Sequence, residues 1–394
     1  MKTSVYLNDL GITCALGATS AVVWPALVAG TQSGLADGDE LIAGRAYKVM
    51  RVDGDGMPLS AQWAQHNSRN NRLLLATAQQ LRASIDGAVS RYGKHRVGVV
   101  IGTSTSGVSE TVSALQAALE QPPRTTGFSY RQQEVGAPAV FLADYLQLDG
   151  PAYVVSTACS SSARAMASAR RLIVQGLVDA VVVGGVDTLA GLTLAGFGSL
   201  ELLSDKVCNP FSRHRAGLNI GEGAALFVMS REKGPIRFLG VGTSSDAHHM
   251  SAPHPDGRGA IAAMRSALAD AEVSAKAVDY VNLHGTATVL NDAMEARAMA
   301  GVFEQAMPLS SSTKPMLGHT LGAAGAIEAA VAYLTLSPLN VKGQLPPHVW
   351  DGEIDASLPP LRLATPDDRA QVKVVMSNSF GFGGTNVSLI LGRA

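Results

Sequence analysis

Short runs of β-branched residues alternate with longer helical segments along this chain of 394 residues. Four runs are typical of buried strands, and they lie at 96–102, 152–156, 179–185 and 224–229. Between them, the segments 72–86 and 161–176 predict helices, and Gly176 ends the second one. Alternation of this kind predicts an α/β fold that contains a largely parallel sheet.

The same alternation begins again near residue 232. After SREKGP at 230–235, further strand and helix patterns follow at 236–242, 278–285, 324–336, 372–379 and 386–391. A repeated order of elements indicates two similar halves, which we expect to span residues 1–232 and 233–394. No linker rich in Pro, Ser or charge separates them, so we expect the two halves to pack together.

Charge and cysteine content exclude several classes of protein. The 31 basic residues nearly balance the 32 acidic ones, and no basic block is present, so we expect no nucleic-acid partner. The three cysteines form neither a disulfide framework nor a C-x-x-C pair, which fits a reducing cytoplasm. The uncharged segment 11–36 is interrupted by glycines and Pro25, so it predicts a turn and a short helix ending near Gly30 rather than a membrane span.

Cys159 lies where a predicted strand meets the first turn of a predicted helix, in VVSTACSSSARAMASARR at 154–171. Unpaired N–H groups and the positive end of the helix dipole would face its sulfur, which favours a thiolate nucleophile. The same N–H groups could hold an oxyanion. On these residues alone, an ordinary buried cysteine is an equal alternative.

Two histidines stand in loops of the kind that gather ligands in α/β proteins. His284 follows a predicted strand in NLHGTAT at 282–288, and His319 lies in a glycine-flanked loop that enters a helix. Lys314 and Glu328 flank His319, and such a pair could orient an imidazole without touching substrate.

Four ordered motifs carry a specific resemblance: TACSSS, NLHGTATVLND, STKPMLGHTLGAAGAIEA and NSFGFGGTN. They resemble those of the elongating β-ketoacyl-acyl-carrier-protein synthases, from about Gly11 to Leu391. The resemblance implies a thiolase-like α/β fold, with two pseudo-repeated halves in a layered α-β-α-β-α architecture and a Cys-His-His triad. It further implies an acyltransferase that joins a malonyl extender to an acyl group by decarboxylative condensation.

The resemblance also implies individual roles. Cys159 would accept the acyl group, His284 and His319 would act on the extender, and Lys314 would support His319 through Glu328. Thr286 and Thr288 would contact a phosphopantetheine arm. Phe382 would act as a gate, and its N–H would join that of Cys159 in binding an oxyanion.

Cofactors held by the protein itself are not expected. By the resemblance, 244–257 is a loop near the active-site mouth, which argues against a metal site formed by Asp246, His248, His249 and His254. The stretch GFGGTN lacks the G-x-G-x-x-G spacing and precedes a strand, which argues against a nicotinamide cofactor. Phosphopantetheine would arrive on the acyl carrier protein.

Partner and substrate predictions rest on the same resemblance. An acidic carrier protein would dock at Arg69 and Arg72, and the chain would form a homodimer or pair with a related ketosynthase-like subunit. Thr105 would floor a roomy acyl tunnel. Val289, Ala216 and Leu218 replace the more usual Pro, Asp and Phe and indicate a specialised aryl-polyene, polyketide or lipid pathway.

Two alternative functions remain open. A thiolase would be expected to carry a second catalytic cysteine near the C-terminus, where NSFGFGGTN has none. A chain-length-factor-like subunit would lack the nucleophile, and Cys159 argues against it.

Overall fold

The computed structural model describes residues 3–38, 41, 46–120 and 129–394 of the chain. These residues form an eleven-stranded mixed sheet and a separate three-stranded sheet. The strands are β1 Tyr6–Cys14, β2 Leu35–Asp37, β3 Lys48–Met50, β4 Val97–Gly102, β5 Ala152–Val155, β6 Ala180–Asp187, β7 Ile220–Gly221, β8 Gly223–Ser230, β9 Ile236–Ser245, β10 Tyr280–Asn282, β11 Leu309–Ser311, β12 Arg362–Leu363, β13 Val374–Gly381 and β14 Thr385–Arg393. The α-helices are α1 Ser20–Val28, α2 Arg69–Gln79, α3 Arg82–Tyr92, α4 Val108–Glu120, α5 Tyr130–Gln133, α6 Ala137–Leu146, α7 Ser161–Val174, α8 Gly191–Ser199, α9 Arg258–Ala271, α10 Val289–Phe303, α11 Lys314–Leu317 and α12 Ala324–Leu336.

The large sheet repeats one topology twice. Its order is β12-β11-β10-β13-β14-β9-β1-β8-β6-β4-β5. In the first half the order from the outer edge inward is β5, β4, β6, β8 and β1. In the second half, with the two-residue edge strand β12 set aside, the order is β11, β10, β13, β14 and β9, so the third, second, fourth, fifth and first strands are neighbours in both halves. Strands β1 and β9 join the two halves through the pairs Tyr6↔Arg237 and Leu7↔Ile236. The predicted pseudo-repeat is therefore confirmed in the strand order, and the predicted division after residue 232 falls in the connection between β8 and β9.

The expectation of a largely parallel sheet was wrong, because the sheet is mixed. Parallel pairing is confined to its two outer parts, where helices connect successive strands. The central strands β14, β9, β1 and β8 pair antiparallel, as do β13 with β14 and β6 with β8. A tight turn can join only antiparallel neighbours, and β13 passes directly into β14 through such a turn at residues 382–384.

Two central helices, α7 and α12, pack against each other and against strands of both halves. Helix α12 is buried on nearly all its faces, as its continuous apolar sequence requires. Small residues allow the close packing, since a Cβ on Gly325 would lie 2.7 Å from the backbone nitrogen of Ala163. The Ser162 hydroxyl also accepts the Ala326 N–H at 2.8 Å. The two helices form the middle layer of the predicted α-β-α-β-α architecture.

The segment predicted as one helix at 72–86 is two helices, α2 and α3. The break falls at Gln80 and Leu81, where the Gln80 side-chain amide pairs with both the N–H and the C=O of Ile12, each at 3.1 Å. A tertiary contact with the bulged strand β1 thus interrupts a locally favourable helix.

The uncharged N-terminal segment forms the end of β1, a turn and helix α1, which confirms the predicted turn and short helix. Gly30 follows the helix with a φ of 68°, in the left-handed region that glycine tolerates. Within the residues that the structure describes, no helix is both long and apolar enough to cross a bilayer.

The contact between β4 and α7 yields a stability prediction. A Cβ on Gly102 would lie 2.3 Å from the Cα and from the nitrogen of Ser162, so Gly102→Ala would force α7 away from the sheet. We expect a loss of ~3 kcal/mol or more in the free energy of unfolding, measured by urea denaturation. Gly87, in the exposed helix α3, has nothing within 4 Å of a Cβ, so Gly87→Ala should instead stabilise by ~0.5 to 1 kcal/mol. Equal stability of the two variants would contradict this account of the packing.

Candidate active site

Cys159 lies in a sharp turn between β5 and α7, as predicted. Ala158 just before it has a φ of 51°, an uncommon left-handed conformation for a residue other than glycine. Ser161 holds this turn, because its hydroxyl accepts the Thr157 N–H at 2.8 Å and donates to the Ala158 carbonyl at 2.6 Å. The turn directs the sulfur into a cavity of about 400 Å³, although Cys159 itself is only 5% exposed.

His319 occupies the equivalent position in the second half, between β11 and α12. Its Nε2 lies 2.9 Å from the Cys159 sulfur. The Leu321 N–H points at Nδ1 from 3.2 Å, so Nδ1 is an acceptor and the neutral ring carries its proton on Nε2. His319 therefore directs an N–H toward the sulfur and the cavity.

His284 meets the same cavity from the end of β10, and its ring lies at 89° to that of His319, with centroids 5.4 Å apart. The Lys314 ammonium lies 3.5 Å from His284 Nδ1, donates to the His284 carbonyl and forms an ion pair with Glu328. Since an ammonium only donates, His284 also carries its proton on Nε2. The Lys314 ammonium thus contacts His284 directly, whereas His319 Nδ1 accepts the Leu321 N–H. The predicted support of His319 by Lys314 through Glu328 stays a prediction.

Burial lowers the pKa of both His284 and His319 well below its ordinary value, and the nearby Lys314 ammonium lowers both further. Both imidazoles are therefore neutral at physiological pH. Burial also raises the pKa of Glu328 to about 7, against the opposing effect of Lys314. The site thus holds two neutral N–H donors in a dry environment.

The predicted resting thiolate is not found. Burial raises the pKa of the Cys159 thiol to about 11, although Lys314 and the N–H groups of Phe382 and Cys159 act in the opposite direction. The cost of placing a charge in a buried site exceeds the stabilisation by the helix end, so the resting group is a thiol. The two N–H groups nevertheless face the sulfur, as expected for an oxyanion site.

Two carboxyl groups behind the site were not predicted. Glu295 accepts the N–H groups of His284 and Gly285, at 2.8 and 2.7 Å, and Asp292 accepts those of Phe211 and Ala287. Burial raises the pKa of Glu295 to about 7 and that of Asp292 to about 6. They lie three residues apart on α10, and this spacing places two acids on one face of a helix. The sequence pattern could therefore have indicated a pair of acidic residues behind the site.

The remaining predicted groups line the cavity. The hydroxyls of Thr286 and Thr288 lie 2.9 Å apart on its wall. Phe382 lies in the turn 382–384 and stacks on Phe197, with ring centroids 5.4 Å apart. The three unusual residues of the sequence also line this cavity, namely Ala216, Leu218 and Val289.

Arg69, Arg72 and Thr105 lie outside this cavity. Arg69 forms a two-pronged ion pair with the buried Glu222, at 2.6 and 3.0 Å, and is only 20% exposed. This ion pair engages the Arg69 guanidinium and argues against carrier docking there, and the docking role of Arg69 stays a prediction. Arg72 is half-buried and bonded to Asn67 and to the Asp55 carbonyl. Its docking role, and the pocket role of Thr105, stay predictions.

Among the described residues, one group of three possible metal ligands lies close together, with the ligand atoms of Cys159, His284 and His319 within 4.8 Å of one another. The Lys314 ammonium beside His284 disfavours a divalent cation there. In the loop 244–257, the rings of His248 and His254 are in contact, while both oxygens of Asp246 accept hydrogen bonds from protein groups.

Comparisons with known proteins agree with this geometry. The family model "Beta-ketoacyl synthase, N-terminal domain" matches residues 30–234, and "Beta-ketoacyl synthase, C-terminal domain" matches residues 237–349. A 3-oxoacyl-[acyl-carrier-protein] synthase 2 of Vibrio cholerae is 30% identical over 100% of this chain and 99% of its own length. One from Rhizobium meliloti is 32% identical, over 99% of this chain and 98% of the relative.

A solved structure is more similar still. One chain of the complex between a ketosynthase, ApeO, and its chain length factor, ApeC, from Xenorhabdus doucetiae superimposes with a TM-score of 0.95 and 45% identity, covering 100% of this chain and 98% of that one. The ishigamide ketosynthase/chain length factor superimposes with a TM-score of 0.90 and 25% identity, covering both chains completely.

The raised pKa of Cys159 predicts the pH dependence of its alkylation. Because only the thiolate reacts, the iodoacetamide rate at Cys159 should rise about tenfold per pH unit from about pH 7 to about pH 9, without a plateau. Peptide mass spectrometry after timed quenching would measure this rate, with Cys159→Ser as the blank. A plateau below about pH 8 would show that the thiolate is more stable than the buried geometry indicates.

Proposed function

The chain belongs to the β-ketoacyl synthase family of condensing acyltransferases, and on that premise we propose that Cys159, His284 and His319 carry out decarboxylative condensation on acyl-carrier-protein substrates. One observation carries the proposal: the N–H groups of two neutral imidazoles converge on a cavity that also holds the Cys159 sulfur. Those donors fit the enolate oxygen that a malonyl thioester develops when it loses carbon dioxide.

The first half-reaction loads the enzyme. The Cys159 sulfur attacks the acyl thioester of the carrier, whose phosphopantetheine arm lies along Thr286 and Thr288. The N–H groups of Cys159 and Phe382 bind the tetrahedral oxyanion. When the old carbon–sulfur bond breaks, the proton of the Cys159 thiol ends on the thiol of the departing arm, so no charge remains in the buried site.

The second half-reaction makes the new carbon–carbon bond. The malonyl thioester oxygen accepts hydrogen bonds from Nε2–H of His284 and of His319, and the carboxylate leaves as carbon dioxide. The enolate carbon then attacks the acyl group on Cys159, and the β-ketoacyl product leaves on the carrier. The sulfur is released as a thiolate, and uptake of one proton restores the thiol.

Lys314 and Glu328 act on this chemistry through His284. The ammonium keeps the proton of His284 off Nδ1 and disfavours a second proton on the ring, so Nε2–H remains available. Glu328 partly neutralises Lys314 within the buried site. Both are positioning residues, and Phe382, stacked on Phe197, forms the gate of the cavity.

The alternative functions fit the described residues less well. A thiolase would need a second cysteine in the cavity, whereas Cys14 and Cys208 are buried and do not line it. A chain-length-factor-like subunit would need no nucleophile, whereas this chain presents Cys159 against His319. Its similarity to a ketosynthase–chain length factor complex supports a ketosynthase of a specialised pathway. The cavity-lining residues Ala216, Leu218 and Val289 are the basis for proposing an aryl-polyene or related polyketide pathway. The three free cysteines support a cytoplasmic setting.

We also propose a second ketosynthase-like chain as partner. Strand β5 is an edge of the large sheet, and all four of its residues are only partly buried. An edge strand of this kind presents unpaired N–H and C=O groups to another chain. The resemblance to ketosynthase–chain length factor complexes supports a heterodimer of this kind. Within this chain, we propose residues 1–232 and 233–394 as the two structural units.

Removing the nucleophile should separate the two half-reactions. Cys159→Ala should abolish condensation of acyl and malonyl carriers, yet the folded variant should still release carbon dioxide from the malonyl carrier, because the imidazoles bind the enolate. Product analysis and carbon dioxide release would be followed in the same reaction. Condensation at the wild-type rate would exclude Cys159 as the acyl acceptor.

Removing either imidazole should slow decarboxylation. His284→Ala and His319→Ala should each reduce the rate by ~10² or more, the cost of one oxyanion donor. His95→Ala changes an exposed histidine outside the cavity and serves as the matched control, with an unchanged rate expected. Normal decarboxylation by His319→Ala would assign its role to another group.

A further inference from the structure

Asp187 is a fully buried carboxyl group at the end of β6 that no part of the proposed mechanism uses. It accepts hydrogen bonds from six donors, and none of these donors is a charged group. They are the N–H groups of Ser104, Thr105 and Gly322 and the hydroxyls of Thr103, Ser104 and Thr105, at 2.5–3.0 Å. One carboxyl group therefore joins the loop 103–105 of the first half to the loop that follows His319.

The contact with Gly322 is the one that bears on the active site. Gly322 N–H lies 2.6 Å from Asp187 Oδ2, and a Cβ at this glycine would meet that oxygen at 2.8 Å. Ser104 Oγ supports the same oxygen at 2.6 Å and also accepts the Gly322 N–H at 3.3 Å. The single N–H of Gly322 is thus shared by two acceptors from the first half of the chain.

Leu321, next to Gly322, has a φ of 52°, a strained conformation for a leucine. Strain of this kind persists only where neighbouring contacts enforce it. The Leu321 N–H lies on the other side of this torsion and meets His319 Nδ1 at 3.2 Å. Leu321 therefore stands between His319 and the anchored Gly322, and holding Gly322 limits how the turn that contains Leu321 can move. The hydrogen bond from Leu321 to Nδ1 keeps the proton of His319 on Nε2, which faces the Cys159 sulfur.

We propose that Asp187 is a positioning residue that sets the tautomer of His319. By holding Gly322, it anchors the turn that contains Leu321 and so keeps the Leu321 N–H on His319 Nδ1. Without this hold, the turn relaxes, Nδ1 becomes free to carry the proton, and Nε2 no longer donates toward the cavity. The same carboxyl group accepts hydrogen bonds from Thr105. The loop that is predicted to form the floor of the acyl tunnel is therefore connected to the His319 loop through Asp187.

The test is Asp187→Asn, which keeps the shape of the side chain but replaces one acceptor by a donor that faces N–H or O–H groups. Nitrogen-15 spectra of histidine-labelled protein distinguish the two neutral tautomers, and His319→Gln identifies the signal. In the wild type we expect the Nε2–H tautomer. In Asp187→Asn we expect a mixture of tautomers, together with a decarboxylation kcat at least about tenfold lower and an unchanged KM.

Thr77→Val is the matched control for stability alone. It removes a buried hydroxyl that contacts Thr13 and the Leu73 carbonyl in the outer helix α2. It should lower the free energy of unfolding and leave both the His319 spectrum and kcat unchanged. An unchanged His319 tautomer in folded Asp187→Asn would overturn the proposal, whatever its activity.

Should Asp187→Asn not fold, Ser104→Ala provides the test. It removes the hydroxyl that supports Oδ2 and Gly322, so a smaller but measurable share of Nδ1–H tautomer is expected, and an unchanged spectrum would overturn the proposal. The kinetic prediction rests on the proposed decarboxylation, but the spectrum does not. Wild-type protein that releases no carbon dioxide would therefore refute the proposed function, while the tautomer would still decide the role of Asp187.

Discussion

The close packing of α7 against α12 is the constraint on which the rest of the structure depends. Each helix follows the third strand of its half, so the two strand-to-helix joins meet when the helices pack. Cys159 lies at one join and His319 at the other, which places groups 160 residues apart within 2.9 Å. A fold that repeats one topology around two central helices therefore assembles a nucleophile and a donor without a dedicated binding loop.

This packing also excludes water from the active site. Cys159, His284, His319 and Lys314 are each at most 5% exposed, and their charge states follow from that burial. The imidazoles are neutral and the resting thiol keeps its proton. A charge formed in this site during reaction interacts strongly with fixed N–H donors, because little water competes for it. Burial thus weakens the resting nucleophile and strengthens stabilisation of the enolate.

Local sequence patterns missed three features of the tertiary structure for related reasons. The helix-end argument for a Cys159 thiolate considered local donors and omitted the cost of burial. Lys314 stands close to His319 in sequence, yet its ammonium reaches His284, on a neighbouring strand. Arg69 is a basic residue in a polar stretch, which is typical of an exposed docking residue. In the structure, however, Glu222, 153 positions away, binds it in a two-pronged ion pair. For Cys159 the local signal was outweighed by burial, and for Lys314 and Arg69 the decisive contact is with a residue distant in sequence.

The amino-acid sequence by itself determined the alternation of strands and helices, the repeat, and the identity of Cys159, His284 and His319, because periodicity and loop motifs are local properties of the chain. Only the tertiary structure decided which nitrogen of each imidazole carries the proton, where the Lys314 ammonium lies, and how Asp187 connects two loops. The position of Lys314, the approach of His319 to Cys159 and the link through Asp187 depend on distances between segments that are 30 to 160 residues apart, whereas the His319 tautomer depends on the folded turn that directs the Leu321 N–H. Such distances are set by how the two halves pack, and the order of residues along the chain does not contain them.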